Sequence, residues 1–140
     1  MRIKLDAGAK APTRAHQLDA GLDLYNNNSE EVTMIKPYDR ALFHTGVHAE
    51  IPAGYYGKLE SKSGLNVNRG VVSCGGVIDS GYDGEIMVVL YNLTEEPFRM
   101  NRGDKVAQLI IQKCELSEIE IVEEIAGGER GANGFGSTGK

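Results

Sequence analysis

The sequence predicts an all-β chain, a sandwich or a barrel. Three observations support this: short β-rich segments recur throughout, glycine and polar turns separate them at roughly 8–12-residue spacing, and only one brief stretch has helical character.

Strands are expected near residues 2–5, 31–36, 40–51, 55–60, 70–78, 84–92, 104–113 and 117–124. Alternation is cleanest in Glu118-Ile119-Glu120-Ile121-Val122-Glu123, which has a polar and an apolar face. Lys105-Val106-Ala107-Gln108-Leu109-Ile110-Ile111 reads as a more buried strand. The one helical signal begins at Ser63, a good capping residue, runs through Asn66-Val67-Asn68 and stops at Gly70.

From about Ala126 the character changes. Residues 127–140 hold six glycines and one large apolar side chain, Phe135, too little to fold alone. The expected organisation is a β-barrel domain over 1–125 and a flexible lid segment over 126–140. Neither a repeat nor a second domain is evident.

A net charge of −5 and a pI near 5.2 speak against a chain whose main partner is a nucleic-acid backbone. They are compatible with a single nucleotide, which a few cations, backbone N–H groups and a metal can hold. Cys74 and Cys114, forty residues apart, form no disulfide framework and no zinc spacing. The first residues, Met1-Arg2-Ile3-Lys4-Leu5-Asp6, lack an apolar leader, and no stretch approaches membrane-span length. The expectation is a cytoplasmic protein (host cytoplasm if the source is viral) with no nucleic-acid and no membrane partner.

Two motifs mislead. Gly134 to Lys140 spells G-x-x-x-x-G-K, but a phosphate-binding P-loop needs a following Ser/Thr and a helix, and the sequence ends at Lys140. His44 and His48 could share a metal on a helix. Their neighbours favour a strand, where four residues span about 13 Å, too far for adjacent ligands on one ion.

Five further clusters are each weak alone: Ala20-Gly21-Leu22-Asp23-Leu24, Ser61-Lys62-Ser63-Gly64-Leu65, Gly76-Val77-Ile78-Asp79-Ser80-Gly81-Tyr82-Asp83-Gly84, Arg102-Gly103-Asp104-Lys105-Val106-Ala107-Gln108-Leu109, and the glycine-rich tail. Singly they read as turns, a helix cap and a core strand. In their order and spacing they resemble the five motifs of the trimeric dUTPase family, across residues 20 to 139.

The resemblance implies a distorted β-barrel or jelly roll. It also implies a homotrimer with active sites shared between subunits, and Mg²⁺-dependent hydrolysis of dUTP to dUMP and pyrophosphate, which limits uracil incorporation into DNA and supplies dUMP. Asp79 then takes the place of the carboxylate that orients and activates the attacking water. A carboxylate is a weak base, so its task is to align the nucleophile and accept its proton as the bond to phosphorus forms. Tyr82 corresponds to the tyrosine lying beneath the deoxyribose, where a ring leaves no room for a 2′-hydroxyl. Ser73, Gly76 and Val77 belong to the hairpin that reads uracil through its backbone.

Lys62, Ser63, Gly64 and Gln108 match the phosphate contacts. Lys62 stands where the family usually has Arg, and a lysine offers a point charge without the bidentate fork. Mg²⁺ is expected on the three phosphates, with no direct protein ligand and Asp23 acting from beyond the inner shell through water. In the tail, Phe135 would stack on uracil, Arg130 would reach the γ-phosphate, and Gly136 and Ser137 would add contacts.

Two other readings compete. A dCTP deaminase resembles the same fold but places a glutamate five residues after the third-motif glycine, where this chain has Val89. A non-catalytic nucleotide-binding protein would bind dUTP tightly without turnover.

Overall fold

The computed structural model describes residues 1–125, 127 and 128. Among them are eleven strands and one helix: β1 (Ile3–Leu5), β2 (Leu22–Tyr25), β3 (Val32–Ile35), β4 (Arg40–Phe43), β5 (Val47–Ala49), β6 (Tyr55–Glu60), α1 (Ser63–Arg69), β7 (Val71–Cys74), β8 (Val77–Ile78), β9 (Val88–Asn92), β10 (Phe98–Asn101) and β11 (Lys105–Lys113). The largest sheet has the order β2-β11-β6-β8, a second has β4-β9-β7, and the pairs β1-β5 and β10-β3 complete the structure. Every named pairing is antiparallel. The order is far from sequential, as in a distorted barrel or jelly roll.

The two larger sheets enclose one apolar core. Leu24 and Leu109 come from the first, Phe43, Val71, Val88 and Leu90 from the second, and all are almost completely buried. Fully burying a side chain such as Phe43 contributes about 1.5–3 kcal/mol. Strands β9 and β6 alternate inward and outward along their length, which fixes their register.

Several expected boundaries shift. The run 40–51 is two strands, broken at Gly46, where φ is +63°. The run 70–78 likewise divides at Gly75, with φ of +81°, so that the chain turns from one sheet to the other. The strand expected from 84 begins only at Val88. Strand β2 lies where the sequence suggested a turn leading into a strand, and β10 was missed because four residues between polar turns give little periodicity.

The expected strand at 117–124 does not form, and Ile119 and Ile121 are 92% and 95% exposed. Alternation prepares a chain for a sheet but does not supply the neighbour that its backbone must pair with. At the helix, Lys62 rather than Ser63 is the N-cap, with extended backbone (φ −84°, ψ 129°) and no side-chain cap bond. Gly70 closes α1 in the left-handed conformation, as the sequence indicated. Among the described residues no helix is long and apolar enough to cross a membrane.

Candidate active site

The motif residues fall into two groups on the one chain. The first surrounds Asp23. Strand β11 lies between β2 and β6, and Gln108 stands opposite both Asp23 and Glu60. Gln108 donates from Nε2 to the Ser61 carbonyl at 3.1 Å. Its side chain lies against Gly21, where a Cβ would come within 2.2 Å of Gln108 Oε1, so only glycine lets it settle there.

Ser61 also reaches the next element. Its hydroxyl accepts the Ser73 N–H at 2.8 Å and lies 3.0 Å from the Ser73 hydroxyl. Leu59 N–H donates to the Gly76 carbonyl at 2.9 Å. The hairpin through Ser73, Gly76 and Val77 is thereby fastened to the strand leading into Lys62.

Asp23 is 3% exposed. Its Oδ1 accepts from Lys62 Nζ, and its wholly buried Oδ2 faces Lys105 Nζ at 2.6 Å, a charge contact off the hydrogen-bond axis. Burial pushes this carboxyl up, but the neighbouring Lys105 and Lys62 ammonium groups outweigh it and hold the group below the usual aspartate value. Lys105 was not singled out from the sequence as a site residue. A bulge places it there, between Lys105 and Ala107 in the pairing with β2. Ser63 and Gly64 occupy the exposed first turn of α1, beside Lys62.

The second group is on the loop after β8. Val77, Asp79 and Tyr82 line a cavity of about 230 Å³ together with Ile78, Glu85 and Met87. Asp79 is exposed. The ring of Tyr82 packs on Gly84, where a Cβ would meet Tyr82 Oη at 2.4 Å, and its hydroxyl donates to the Glu85 carbonyl at 3.0 Å.

His44 and His48, which looked like plain strand-face histidines, brace this loop. His44 Nδ1 pairs with Glu85 Oε2 at 2.8 Å, and Glu85 Oε1 accepts the Gly46 N–H at 2.7 Å. His48 Nδ1 lies 2.9 Å from the Asp83 carbonyl and its Nε2 3.0 Å from Asp6 Oδ2. The Asp83 carbonyl and then Asp6 raise the His48 pKa above the ordinary value. Nothing in the sequence signalled this bracing, since the partners lie 41 and 35 residues away.

The two groups are joined through the hairpin, yet they line different cavities. Lys62, Gly64 and Lys105 border a groove of about 360 Å³ floored by Leu65, Phe98 and Met100, and Asp79 and Tyr82 border the other. Among the described residues no set of three or more His, Cys, Asp or Glu could hold a metal ion. Asp23, expected to act on Mg²⁺ through water, here has its two oxygens against Lys62 and Lys105. Arg130, Phe135, Gly136 and Ser137 lie outside the described residues.

The chain is similar to known proteins over nearly its whole length. Residues 7–139 match the dUTPase family. The deoxyuridine 5′-triphosphate nucleotidohydrolase of Kluyveromyces lactis is 40% identical over 142 residues, covering 100% of this chain and 94% of that protein. That of Mycobacterium avium is 44% identical over 145 residues, covering 98% and 92%. Among solved structures, the dUTPase of Staphylococcus bacteriophage 80alpha with dUPNHPP superposes with a TM-score of 0.91 at 30% identity, covering 99% and 98% of the two chains. A point mutant of the dUTPase from phage phi11 of S. aureus, described with a structural Mg(II) ion, gives 0.80 at 28% identity, covering 89% and 97%. With a family match over nearly its whole length and relatives at 40% identity or more, this chain belongs to the dUTPase family.

Proposed function

We propose that the protein is a dUTP diphosphatase that hydrolyses dUTP to dUMP and pyrophosphate. The observation that carries this reading is the cavity in which an exposed carboxylate, Asp79, and a ring held at a fixed angle, Tyr82, stand on either side of a turn. Asp79 aligns a water for in-line attack at the α-phosphorus and accepts its proton; pyrophosphate leaves. Tyr82, pressed on Gly84, supports the deoxyribose and excludes a 2′-hydroxyl by contact. The backbone of Ser73, Gly76 and Val77 reads uracil, and a 4-amino group would be left without a partner.

Lys62 and Gln108 face the triphosphate, with the exposed first turn at Ser63 and Gly64 adding N–H donors. Mg²⁺ would come with the substrate, held by phosphate oxygens and water, and would offset charge on the leaving pyrophosphate.

We further propose a homotrimer in which each site combines residues of different copies. Support comes from the separation of the Lys62 and Asp79 groups and from residues 116–125, where Leu116, Ile119, Ile121 and Ile125 are exposed on a segment that forms no strand. Arg130, Phe135, Gly136 and Ser137 would close over the bound nucleotide from such a neighbour. The protein would act in the cytoplasm, or in the host cytoplasm if viral, limiting uracil in DNA and supplying dUMP.

The reading is tested by incubating the protein with each dNTP and with UTP, with and without Mg²⁺, and following pyrophosphate. Selective release from dUTP is expected. Ammonia release from dCTP, or tight dUTP binding with no product, would contradict it.

A further inference from the structure

We propose that Lys105 is a positioning residue, which engages Asp23 so that the charge of Lys62 remains available to the triphosphate. The proposal rests on the dUTP-hydrolysing reading above.

The backbone argument comes first. In the pairing of β11 with β2, Gln108 opposes Asp23 and Ala107 opposes Leu24, but Lys105, not Val106, opposes Tyr25. Side chains alternate along a strand, so residues three apart ordinarily point to opposite faces. The extra residue of the bulge reverses that, bringing Lys105 to the face that carries Gln108 and Asp23. Bulges re-aim side chains in this way beside functional sites.

Charge supplies the rest. Asp23 has 4% of its side chain exposed, Lys62 26% and Lys105 43%. With Lys62 alone, the buried carboxylate would cancel the charge that Lys62 brings to the phosphates, and the attraction between them is stronger away from bulk water. A lysine has a single compact charge, so one that bridges Asp23 and a phosphate divides that charge between two anions. With Lys105 on Oδ2 and Lys62 on Oδ1, the cluster keeps one net positive charge on the nucleotide side. Lys62 can then move from Asp23 to a phosphate without leaving the carboxylate bare.

The test uses the full chain and its Lys105→Met, Lys105→Arg, Asp23→Asn and Asp23→Asn/Lys105→Met variants. KM and kcat for dUTP are measured, and dUpNHpp binding is followed calorimetrically without Mg²⁺. Lys105→Met should raise KM and weaken metal-free binding about tenfold while kcat changes less than about threefold, and Lys105→Arg should restore both. In the Asp23→Asn background, losing Lys105 should have no further effect beyond about twofold, because no carboxylate is left to neutralise. That comparison also serves if Lys105→Met alone does not fold.

An unchanged KM and unchanged binding in Lys105→Met would overturn the proposal. So would a tenfold loss that persists without Asp23, since Lys105 would then contact phosphate directly. Failure of the unaltered protein to hydrolyse dUTP removes the functional reading itself. Normal hydrolysis with an inert Lys105 removes only this proposal.

Discussion

The N–H of Tyr82 donates to the carbonyl of Asp79 at 3.2 Å, closing the turn that points a carboxylate and an aromatic ring into one cavity. Asp79→Asn retains this backbone bond and the side-chain shape but loses the proton acceptor. Turnover of dUTP should fall about 10²–10⁴-fold, while dUpNHpp binding stays within a few-fold. Parallel assays of pyrophosphate release and binding check this, and near-normal turnover would remove Asp79 from the mechanism.

Selection against ribose should depend on Gly84. A methyl group there would meet Tyr82 Oη at 2.4 Å and displace the ring from its bond to the Glu85 carbonyl. In Gly84→Ala the preference for dUTP over UTP should drop by about 10–200-fold. The ratio of kcat/KM values for the two nucleotides measures it.

Bracing of the same loop by His48 should depend on pH. Both ring nitrogens face acceptors, Asp83 O and Asp6 Oδ2, so only the imidazolium donates to both. The folded pKa is raised, chiefly by the Asp83 carbonyl. The stabilisation is therefore complete below the unfolded value of about 6.5 and is lost as pH rises through the raised folded value. Melting temperatures of the protein and of His48→Ala should differ most in mild acid and converge with increasing pH. A gap that is constant with pH would contradict this.

Removing residues 127–140 should leave the fold intact, because the core cluster and its partly buried border end at Ile111. Turnover should be severely reduced if the tail supplies Arg130 and Phe135 to the bound nucleotide. Circular dichroism paired with the pyrophosphate assay separates the two effects, and an unchanged rate would refute the lid.

Strong local signals were legible in the sequence. The long apolar run of β11 and the glycine that closes α1 both stand where the pattern put them. The motif residues Asp23, Lys62, Ser73 and Gln108 were singled out by order and spacing, and hydrogen bonds or ion pairs around Ser61 and Lys62 place them near one another. What escaped was set by pairing partners. Lys105 reaches Asp23 only because of a bulge, which appears once two strands are aligned. The histidine spacing hid two braces to a loop some forty residues away, and the alternation at 117–124 marked a segment that pairs with no strand among the described residues.

Co-expression of Asp79→Asn chains with Gln108→Met chains, each inactive alone, tests most directly whether Asp79 serves the phosphate cluster of another copy. Random trimers should regain dUTP hydrolysis at about a quarter of their sites, where an intact Asp79 meets an intact Gln108 from a different copy. Mixed assemblies as inactive as either parent, or a monomer that works at full rate, would contradict the shared site.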